Sequence, residues 1–186
     1  MDTAPQTDEE VAVLVQRGEG KLFGVLVARY ERQMLRYARR FLFGYQDAED
    51  TVQEVFIKAF INIRGFDASR AFSPWLYRVA HNVFINAIKK RGREPISFFD
   101  PDTLFPHPVA RDNPETDLDR RQTRDALEKS LGQLDPKYRE PLVLHFFEDL
   151  DYKRISEIMR VPVSTVGVRI MRGKMLLKKY YDELHS

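Results

Sequence analysis

Cysteine is absent from this chain of 186 residues. Its absence excludes disulfide bonds, thiolate zinc sites and a cysteine nucleophile, and it fits a reducing compartment. No apolar run approaches the length of about 18 residues that a membrane-spanning helix needs. The first residues, MDTAPQTDEE, are polar and acidic, which excludes a secretory signal. We therefore expect a soluble, cytoplasmic protein with no membrane segment of its own.

The chain also lacks the groupings from which many enzyme sites are built. Its histidines are scattered, so each is expected to be structural or solvated; they are His81, His107, His145 and His185. There is no phosphate-binding loop, no calcium-loop glycine pattern and no set of metal ligands. We expect no enzymatic activity, no cofactor and no metal. The competing enzyme hypothesis is a nucleic-acid enzyme that uses the carboxylates of residues 47–54.

Charge is unevenly distributed along the sequence. The net charge is only +2, but cations dominate residues 61–95 and 160–179, whereas acids dominate residues 100–119. Two basic blocks with an acidic spacer indicate two separate contacts with a polyanion such as nucleic acid. Ordinary solvated helix faces would give the same distribution, so charge alone leaves both interpretations open.

Nearly every segment has the spacing of amphipathic helices, and no convincing strand or internal repeat is present. Proline, aspartate and asparagine are concentrated in residues 95–114, which predicts an extended acidic linker. We therefore predict an all-α fold with two small helical domains, residues 1–94 and 115–186, joined by that linker.

Local signals predict where several helices begin. The stretch Thr7-Asp8-Glu9-Glu10 predicts a capping box. Ser73-Pro74 and Asp135-Pro136 each predict an N-cap residue followed by a proline at the first helical position.

The C-terminal stretch DYKRISEIMRVPVSTVGVRIMRGKMLLKKY predicts a helix-turn-helix. Asp151 and Ser164 are predicted to cap its two helices. In the second helix a buried seam is expected at Val166, Ile170, Gly173 and Leu177. Residues on or beside the opposite face are suited to a DNA major groove; they are Thr165, Val168, Arg169, Met171 and Arg172. The alternative is a plain helical hairpin with a solvated basic face.

Residues 66–93, FDASRAFSPWLYRVAHNVFINAIKKRGR, interleave aromatic side chains with cations and asparagines. A loop of small residues before a basic helix suits single-stranded nucleic acid, because unstacked bases can lie on aromatic or apolar walls. An aromatic core with solvated cations would give the same pattern, and this signal alone favours that simpler interpretation.

The stretch DAEDTVQEVFIKAF, residues 47–60, combines carboxylates with a helical apolar stripe. The stripe predicted to be buried contains Val52, Val55, Phe56, Ala59 and Phe60. Asp47 is predicted to be the N-cap, so capping accounts for about half of the acids. The remaining face carries Asp50, Gln53, Glu54 and Ile57, and it is more typical of a docking surface than of an acid–base site.

Together these stretches resemble the extracytoplasmic-function (ECF) sigma factors of bacteria, from about Val11 to Leu184. DAEDTVQEVFIKAF and FSPWLYRVAHNVFINAIKKRGRE resemble parts of sigma region 2, and the helix-turn-helix resembles part of region 4. The resemblance implies a protein that binds core RNA polymerase, through the β′ clamp helices and the β flap, and directs promoter recognition, DNA melting and transcription initiation. It also implies an anti-sigma factor as a partner and a linker that threads through the polymerase toward the RNA path.

The resemblance implies roles for individual residues. Polymerase docking is assigned to Asp50, Gln53, Glu54 and Ile57. Binding of the melted downstream (minus-ten) element and the adjoining duplex is assigned to Phe66, Asp67, Ala68, Ser69, Arg70, Ala71, Phe72, Ser73, Trp75, Asn82, Asn86, Lys89, Lys90, Arg91 and Arg93. Recognition of the double-stranded upstream (minus-thirty-five) element is assigned to Ser164, Thr165, Val168, Arg169, Met171, Arg172 and Lys174.

The chain departs from its relatives at Gly167-Val168, where many carry Lys or Arg and then Ser. Val168 is instead suited to contact with a thymine methyl group. The main competing function is a stand-alone helix-turn-helix regulator that binds duplex DNA. Such a protein would need neither residues 47–60 nor the aromatic-basic block, and no coiled-coil seam for dimerisation is present.

Overall fold

α-Helices make up most of the structure, which is a computed structural model that describes residues 7–42, 48–91 and 114–184. No strand occurs within these ranges, in agreement with the predicted all-α fold. The helices are α1 (Asp8–Gln16), α2 (Phe23–Phe41), α3 (Ala48–Asn62), α4 (Phe72–Arg91), α5 (Pro114–Gln133), α6 (Pro136–Phe146), α7 (Tyr152–Met159) and α8 (Val163–Leu184). Short 3₁₀ helices cover Gly20–Leu22 and Ile63–Gly65.

Helices α1 to α4 form the N-terminal unit, which is built around aromatic side chains. Tyr37 is fully buried, and its ring lies 4.9 Å from Phe84 and 5.5 Å from Tyr77, measured between ring centroids. Large buried aromatic rings contribute much of the apolar area that stabilises a small domain. The remaining fully buried large side chains of this unit are Leu26, Met34, Phe41, Phe72 and Leu76.

The helix starts in this unit confirm one predicted cap and correct another. Thr7 and Glu10 form the predicted capping box. Helix α4, however, begins at Phe72, so Ser73 lies inside its first turn rather than at the N-cap. The backbone N–H of Phe72 instead donates to the Glu9 carboxylate of α1 over 2.8 Å. A side chain distant in sequence therefore accepts the hydrogen bond from the first backbone N–H of α4. The predicted cap Asp47 lies outside the described residues.

Helices α5 to α8 form the C-terminal unit, which contains the predicted helix-turn-helix. Asp135 and Asp151 cap α6 and α7 as predicted. The turn after α7 passes through Arg160 in the left-handed conformation, with φ of 54°. Helix α8 begins at Val163, so Ser164 lies in the first turn rather than at the N-cap. The predicted seam is confirmed, because Val166, Ile170 and Gly173 are buried and Leu177 is half-buried.

The two units contact each other through buried ionisable side chains, which the sequence did not predict. Glu140 of α6 is 1% exposed, and its Oε1 atom lies 2.5 Å from both the Tyr37 hydroxyl and Nδ1 of His81. After α6, Glu148 accepts a hydrogen bond from the Tyr77 hydroxyl over 2.8 Å. These contacts join α6 and the segment that follows it to α2 and α4.

Burial controls the protonation of these groups. It raises the pKa of the Tyr37 and Tyr77 hydroxyls well above the ordinary value, and the neighbouring glutamates raise it further. Both hydroxyls therefore stay protonated and act as donors. Burial also raises the pKa of Glu148, although the hydrogen bond from Tyr77 opposes that effect. Burial lowers the pKa of Arg139 to about 10, so this guanidinium is still charged when it donates to the Phe41 carbonyl oxygen over 2.9 Å.

The two glycines of α8 lie in different surroundings and give a matched stability test. A Cβ atom at Gly173 would lie 2.9 Å from Leu142 Cδ1 and 3.1 Å from the backbone oxygen of Tyr138. A Cβ atom at Gly167 would meet only the Tyr152 ring, at 3.6 Å, which is an ordinary contact.

We expect Gly173→Ala to destabilise the protein by about 1–3 kcal/mol, because α6 and α8 would be forced apart. Gly167→Ala is expected to stabilise it by up to about 1 kcal/mol through helix propensity. Urea unfolding followed by circular dichroism measures both changes. Equal effects of the two substitutions would contradict the close packing of α6 on α8.

Candidate docking and nucleic-acid surfaces

A groove between α2 and α3 carries most of the predicted docking residues. Its volume is about 750 Å³, and the α2 side is lined by Phe23, Val27, Glu31 and Leu35. The α3 side is lined by Glu49, Asp50, Val52, Gln53, Phe56, Ile57 and Phe60. Apolar side chains alternate here with carboxylates, so the groove matches a helix that presents both apolar and basic side chains. The predicted docking residues Asp50, Gln53 and Ile57 are exposed and lie together in this groove.

Glu54 lies outside the groove lining but on the same helix. Its carboxylate is 2.7 Å from Nζ of Lys58, one turn further along α3, and both side chains are about half exposed. An exposed pair of this kind contributes little to folding stability. The fold does not require this ion pair, so Glu54 is available to an external partner.

The prediction that Phe60 belongs to the buried stripe of α3 is wrong. Phe60 is 45% exposed, and it continues an apolar surface formed with Ile57 and Ile61, which are 53% and 69% exposed. Its ring packs edge-on against Phe23 at 5.2 Å instead of entering the core. Adjacent exposed apolar side chains of this size are typical of an interaction surface.

The loop between α3 and α4 presents small and polar residues to solvent. Asp67, Ser69, Arg70 and Ala71 are exposed, and Ala68 is half-buried. The Asp67 carboxylate accepts hydrogen bonds from the Ser69 hydroxyl over 2.7 Å and from the Ser69 backbone N–H over 3.0 Å. These bonds lower the pKa of Asp67, so the acid stays ionised and holds the turn in one shape.

Two aromatic residues assigned to this loop belong to the core. Phe66 is 5% exposed and Phe72 is completely buried, so neither ring is presented to a ligand. Trp75 is half-buried, and its ring lies 5.3 Å from Phe66 and 5.4 Å from Phe72. The direct-contact prediction for Phe66 and Phe72 is therefore replaced by a supporting role beneath the loop.

Gln16, which was not predicted to have a role in this region, fixes the start of this loop. The Gln16 side-chain amide donates to the carbonyl oxygens of Ile63 and Phe66 over 2.7 and 2.8 Å. Glu9 of α1 accepts a hydrogen bond from the start of α4, so Gln16 and Glu9 together fix both ends of the loop to α1. A polar residue at the end of a short helix carries no local signal for contacts so distant in sequence.

Helix α4 presents the predicted basic and amide side chains on one exposed face. Asn82, Asn86 and Lys89 lie three to four residues apart and are exposed, as is Lys90. Arg91 ends the helix, and Arg93 lies outside the described residues. Ser73 and Trp75 are half-buried at the start of the same helix.

In the C-terminal unit most predicted reading residues are accessible on α8. Ser164, Val168, Met171, Arg172 and Lys174 are exposed, and Thr165 is half-buried. The Tyr152 ring of α7 lies beside Gly167. A larger side chain at position 167 would cover part of this ring. Tyr152 and Val168 are 37% and 44% exposed and give this part of the helix-turn-helix an apolar surface.

Arg169 occupies a different position from the other reading residues of α8. It is half-buried and lines a second groove, which lies between α4 and the C-terminal unit and which we call the interunit groove. The volume of this groove is about 280 Å³. Its α4 side is lined by His81, Ile85, Ile88 and Lys89, and its other side by Asp135, Pro136, Lys137, Glu140, Met159 and Arg169.

Two family models match the chain in the two units described above. The sigma-70 region 2 model matches residues 26–94, and the sigma-70 region 4 model matches residues 124–177. The chain is 33% identical to the ECF RNA polymerase sigma factor SigW of Bacillus subtilis over 178 residues, which is 91% of this chain and 94% of that protein.

Further relatives match over similar lengths. RNA polymerase sigma-H factor of Pseudomonas aeruginosa is 33% identical over 188 residues, covering 96% of each chain. The ECF RNA polymerase sigma-E factor of Escherichia coli is 32% identical over 175 residues, covering 90% of this chain and 91% of that one.

The fold is also similar to solved structures. The structure of CnrH in complex with the cytosolic domain of CnrY matches with a TM-score of 0.70 and 25% identity, covering 96% of this chain and 99% of CnrH. The sigma factor RpoE of Bartonella quintana, solved with the anti-sigma factor NepR, has a similar fold, with a TM-score of 0.64 and 23% identity over 86% of this chain and 96% of that one.

Among the described helices, none combines the length and the apolar character that crossing a membrane requires.

Because Trp75 is the sole tryptophan of the chain, its emission reports on the α3–α4 loop. We expect mixed-sequence single-stranded DNA to change this emission saturably, since a base stacked in the loop would contribute about 1–3 kcal/mol and alter the surroundings of the indole. Fluorescence titration measures the change, with inorganic polyphosphate as the control for charge alone. An equal change with polyphosphate would contradict a base-binding loop.

Proposed function

Because the chain belongs to the ECF sigma factors, we propose that each of its two helical units recognises a different part of the promoter. The protein is a transcription initiation factor that binds core RNA polymerase and directs it to promoters. The alternative of a stand-alone helix-turn-helix regulator does not account for the N-terminal unit, which matches sigma-70 region 2. We place the domains at residues 1–94 and 115–186, with the linker at 95–114.

The single observation that carries the assignment of polymerase docking is the α2–α3 groove. Its exposed Asp50, Gln53 and Ile57 form an acidic and apolar surface, and Glu54 flanks it. We propose that this surface receives the β′ clamp helices of the polymerase. Phe60 and Ile61 extend the same surface, so they join the proposed docking residues.

The α3–α4 loop and the exposed face of α4 are proposed to hold the melted downstream element. The turn around Asp67 presents Ser69, Arg70 and Ala71 to a base that has left the stack, with Ala68 beside them. The exposed Asn82, Asn86, Lys89 and Lys90 then follow the strand and the adjoining duplex, with Arg91 and Arg93 continuing the basic run.

Helix α8 is proposed to enter the major groove at the upstream element. Arg172 and Lys174 supply charged donors, and Ser164 and Thr165 lie at the helix start, where backbone and hydroxyl groups bind phosphates. Val168 and Met171 are apolar and exposed, and the neighbouring Tyr152 ring is left uncovered by Gly167. We infer that this part of the site prefers thymine, whose methyl group makes apolar contacts.

The proposal extends to partners and location. Sigma factors are initiation factors rather than enzymes, and we propose the same of this chain, acting in the cytoplasm where polymerase and DNA are found. An anti-sigma factor and the polymerase β flap are the further proposed partners. The whole proposal is tested with purified core polymerase, by a pull-down with the protein and by run-off transcription on genomic fragments. The proposal would be contradicted if the polymerase neither retained the protein nor started transcripts with it.

Reversing the charge at Glu54 tests the docking surface. We expect Glu54→Lys to weaken polymerase binding at least about tenfold, or about 1.4 kcal/mol, because it places a cation beside an acidic groove that faces a basic partner. Fluorescence anisotropy with labelled core polymerase measures the affinity. Glu183→Lys is the matched control, since Glu183 also lies on an exposed helix face and pairs with a lysine one turn away. Equal losses in both variants would contradict the assignment.

Removal of the Arg172 guanidinium tests base recognition by α8. We expect Arg172→Ala to weaken binding of the holoenzyme to a selected upstream duplex by about 1–3 kcal/mol. Competition binding against scrambled duplexes measures specificity, and Lys178→Ala is the control for loss of a cation from the same helix. A loss that is uniform across sequences would make Arg172 a phosphate contact instead.

A further inference from the structure

Helix α1 holds both ends of the α3–α4 loop, although none of the predicted nucleic-acid residues lies on this helix. The side-chain amide of Gln16 donates to the carbonyl oxygens of Ile63 and Phe66 over 2.7 and 2.8 Å. An amide NH₂ group has two hydrogens, so it has one for each of these bonds. At the other end of the loop, the Glu9 carboxylate accepts from the backbone N–H of Phe72 over 2.8 Å. The three bonds join residues 47, 50 and 63 positions apart, so they fix the loop to the fold.

The backbone groups at the two ends of the loop need such partners. Phe66 follows directly after the second 3₁₀ helix, and its backbone N–H donates to the carbonyl oxygen of Ile63 over 3.0 Å. Phe72 is the first residue of α4, and the first N–H groups of a helix have no partner within the helix. Both phenylalanines are buried. Because buried backbone groups without partners are strongly disfavoured, Gln16 and Glu9 determine where the loop begins and ends against the core.

The shape of the loop itself is set by separate, local contacts. The Asp67 carboxylate accepts from the hydroxyl and the backbone N–H of Ser69. The Asp67 carbonyl oxygen accepts from the backbone N–H of Arg70 over 3.0 Å. These bonds lie within four consecutive residues, so they form the turn wherever its ends are placed. The loop is therefore a preformed turn whose position depends on α1.

The residues that α1 holds also carry the aromatic rings beneath the loop. Phe66 is held through its carbonyl oxygen and Phe72 through its N–H, and their rings pack edge-on at 5.4 Å between centroids. The half-buried Trp75 ring packs against both. A shift at either end would therefore move the rings together with the turn. Binding sites require their groups to be held within about 0.5 Å of the productive geometry.

We propose that Gln16 and Glu9 are positioning residues for the α3–α4 loop, which keep the turn and the rings beneath it in the geometry that distinguishes one unstacked base from another. They act through the loop rather than by contact with DNA. Their loss reduces base selectivity more than overall affinity, because the exposed cations of α4 still bind phosphates. The proposal rests on the proposed role of the loop in holding the melted element.

The substitution Gln16→Glu tests the first of these contacts. The two side chains have nearly the same shape, but a carboxylate has no N–H to donate, and its oxygens would face two carbonyl oxygens. Gln33→Glu is the matched control, since it makes the same change at another half-buried position of the N-terminal unit, on α2. Should the Gln16→Glu protein fail to fold, Gln16→Met removes the same donors without adding a charge.

Glu9 allows a rescue by the conservative variant. Glu9→Gln keeps a side-chain oxygen that can accept from the Phe72 N–H, whereas Glu9→Ala removes it. We expect Glu9→Gln to retain base selectivity and Glu9→Ala to lose it. Equal losses in the two variants would show that the charge of Glu9 matters and not its hydrogen bond, which would contradict its positioning role.

Base selectivity is measured with the full chain and short single-stranded DNA. One oligonucleotide is selected from a randomised pool, each of its positions is changed to all four bases, and fluorescence anisotropy gives the affinities. At the most selective position, we expect Gln16→Glu to reduce the affinity ratio of the best to the worst base at least about fivefold, the size of one lost stacking contact. The affinity for the worst base is expected to change less than about twofold, because phosphate contacts remain. The Gln33→Glu protein should keep the original ratio.

Hydrogen exchange in the DNA-free protein tests the placement of the loop by itself. We expect Gln16→Glu to speed exchange of the backbone N–H groups of Phe66 and Phe72 at least about tenfold, because the segment between them opens more easily. Nuclear magnetic resonance resolves these two groups. The Gln33→Glu protein should leave both rates unchanged.

The two measurements separate the possible failures. If the unsubstituted protein has no preference among bases while Gln16→Glu speeds the exchange, the proposed function of the loop is wrong although α1 holds it in place. If the unsubstituted protein has a preference and Gln16→Glu keeps it, or weakens binding equally for all four bases, the positioning role is wrong and the proposed function remains.

Discussion

The arrangement of the two helical units depends on two carboxylates that the chain buries between them. Glu140 and Glu148 come from α6 and the segment after it, and each meets a tyrosine hydroxyl from the aromatic core of the N-terminal unit. A buried carboxylate is stable only where hydrogen-bond donors reach it. These tyrosines therefore help to fix the position of the C-terminal unit against the N-terminal unit. The same arrangement places α7 against α4.

The sequence predicted well most of the features that depend on local chemistry. Thr7, Asp135 and Asp151 cap their helices because a cap needs only the next few backbone N–H groups. The buried seam and the exposed positions of α8 followed from helical periodicity in the same way. The roles proposed for these surfaces came from the family resemblance, because helical periodicity does not show what a surface binds.

Two of the wrong predictions share one physical cause, which is a partner distant in sequence. Ser73 is not the cap of α4 because Glu9 already accepts from the Phe72 N–H. Phe60 has the spacing of a buried residue, but its ring lies against Phe23 in the lining of the α2–α3 groove. The burial of Glu140 was not predicted at all, because only the folded chain brings Tyr37 and His81 to it.

The α2–α3 groove and the contact between the two units lie in different parts of the molecule. The groove is lined by α2 and α3 alone, so the C-terminal unit does not cover it. Arg169, by contrast, faces α4 across the interunit groove. A partner can therefore bind the α2–α3 surface without displacing the C-terminal unit. Binding at that surface and separation of the two units are therefore independent, because a ligand shifts a conformational equilibrium only by its preference for one state.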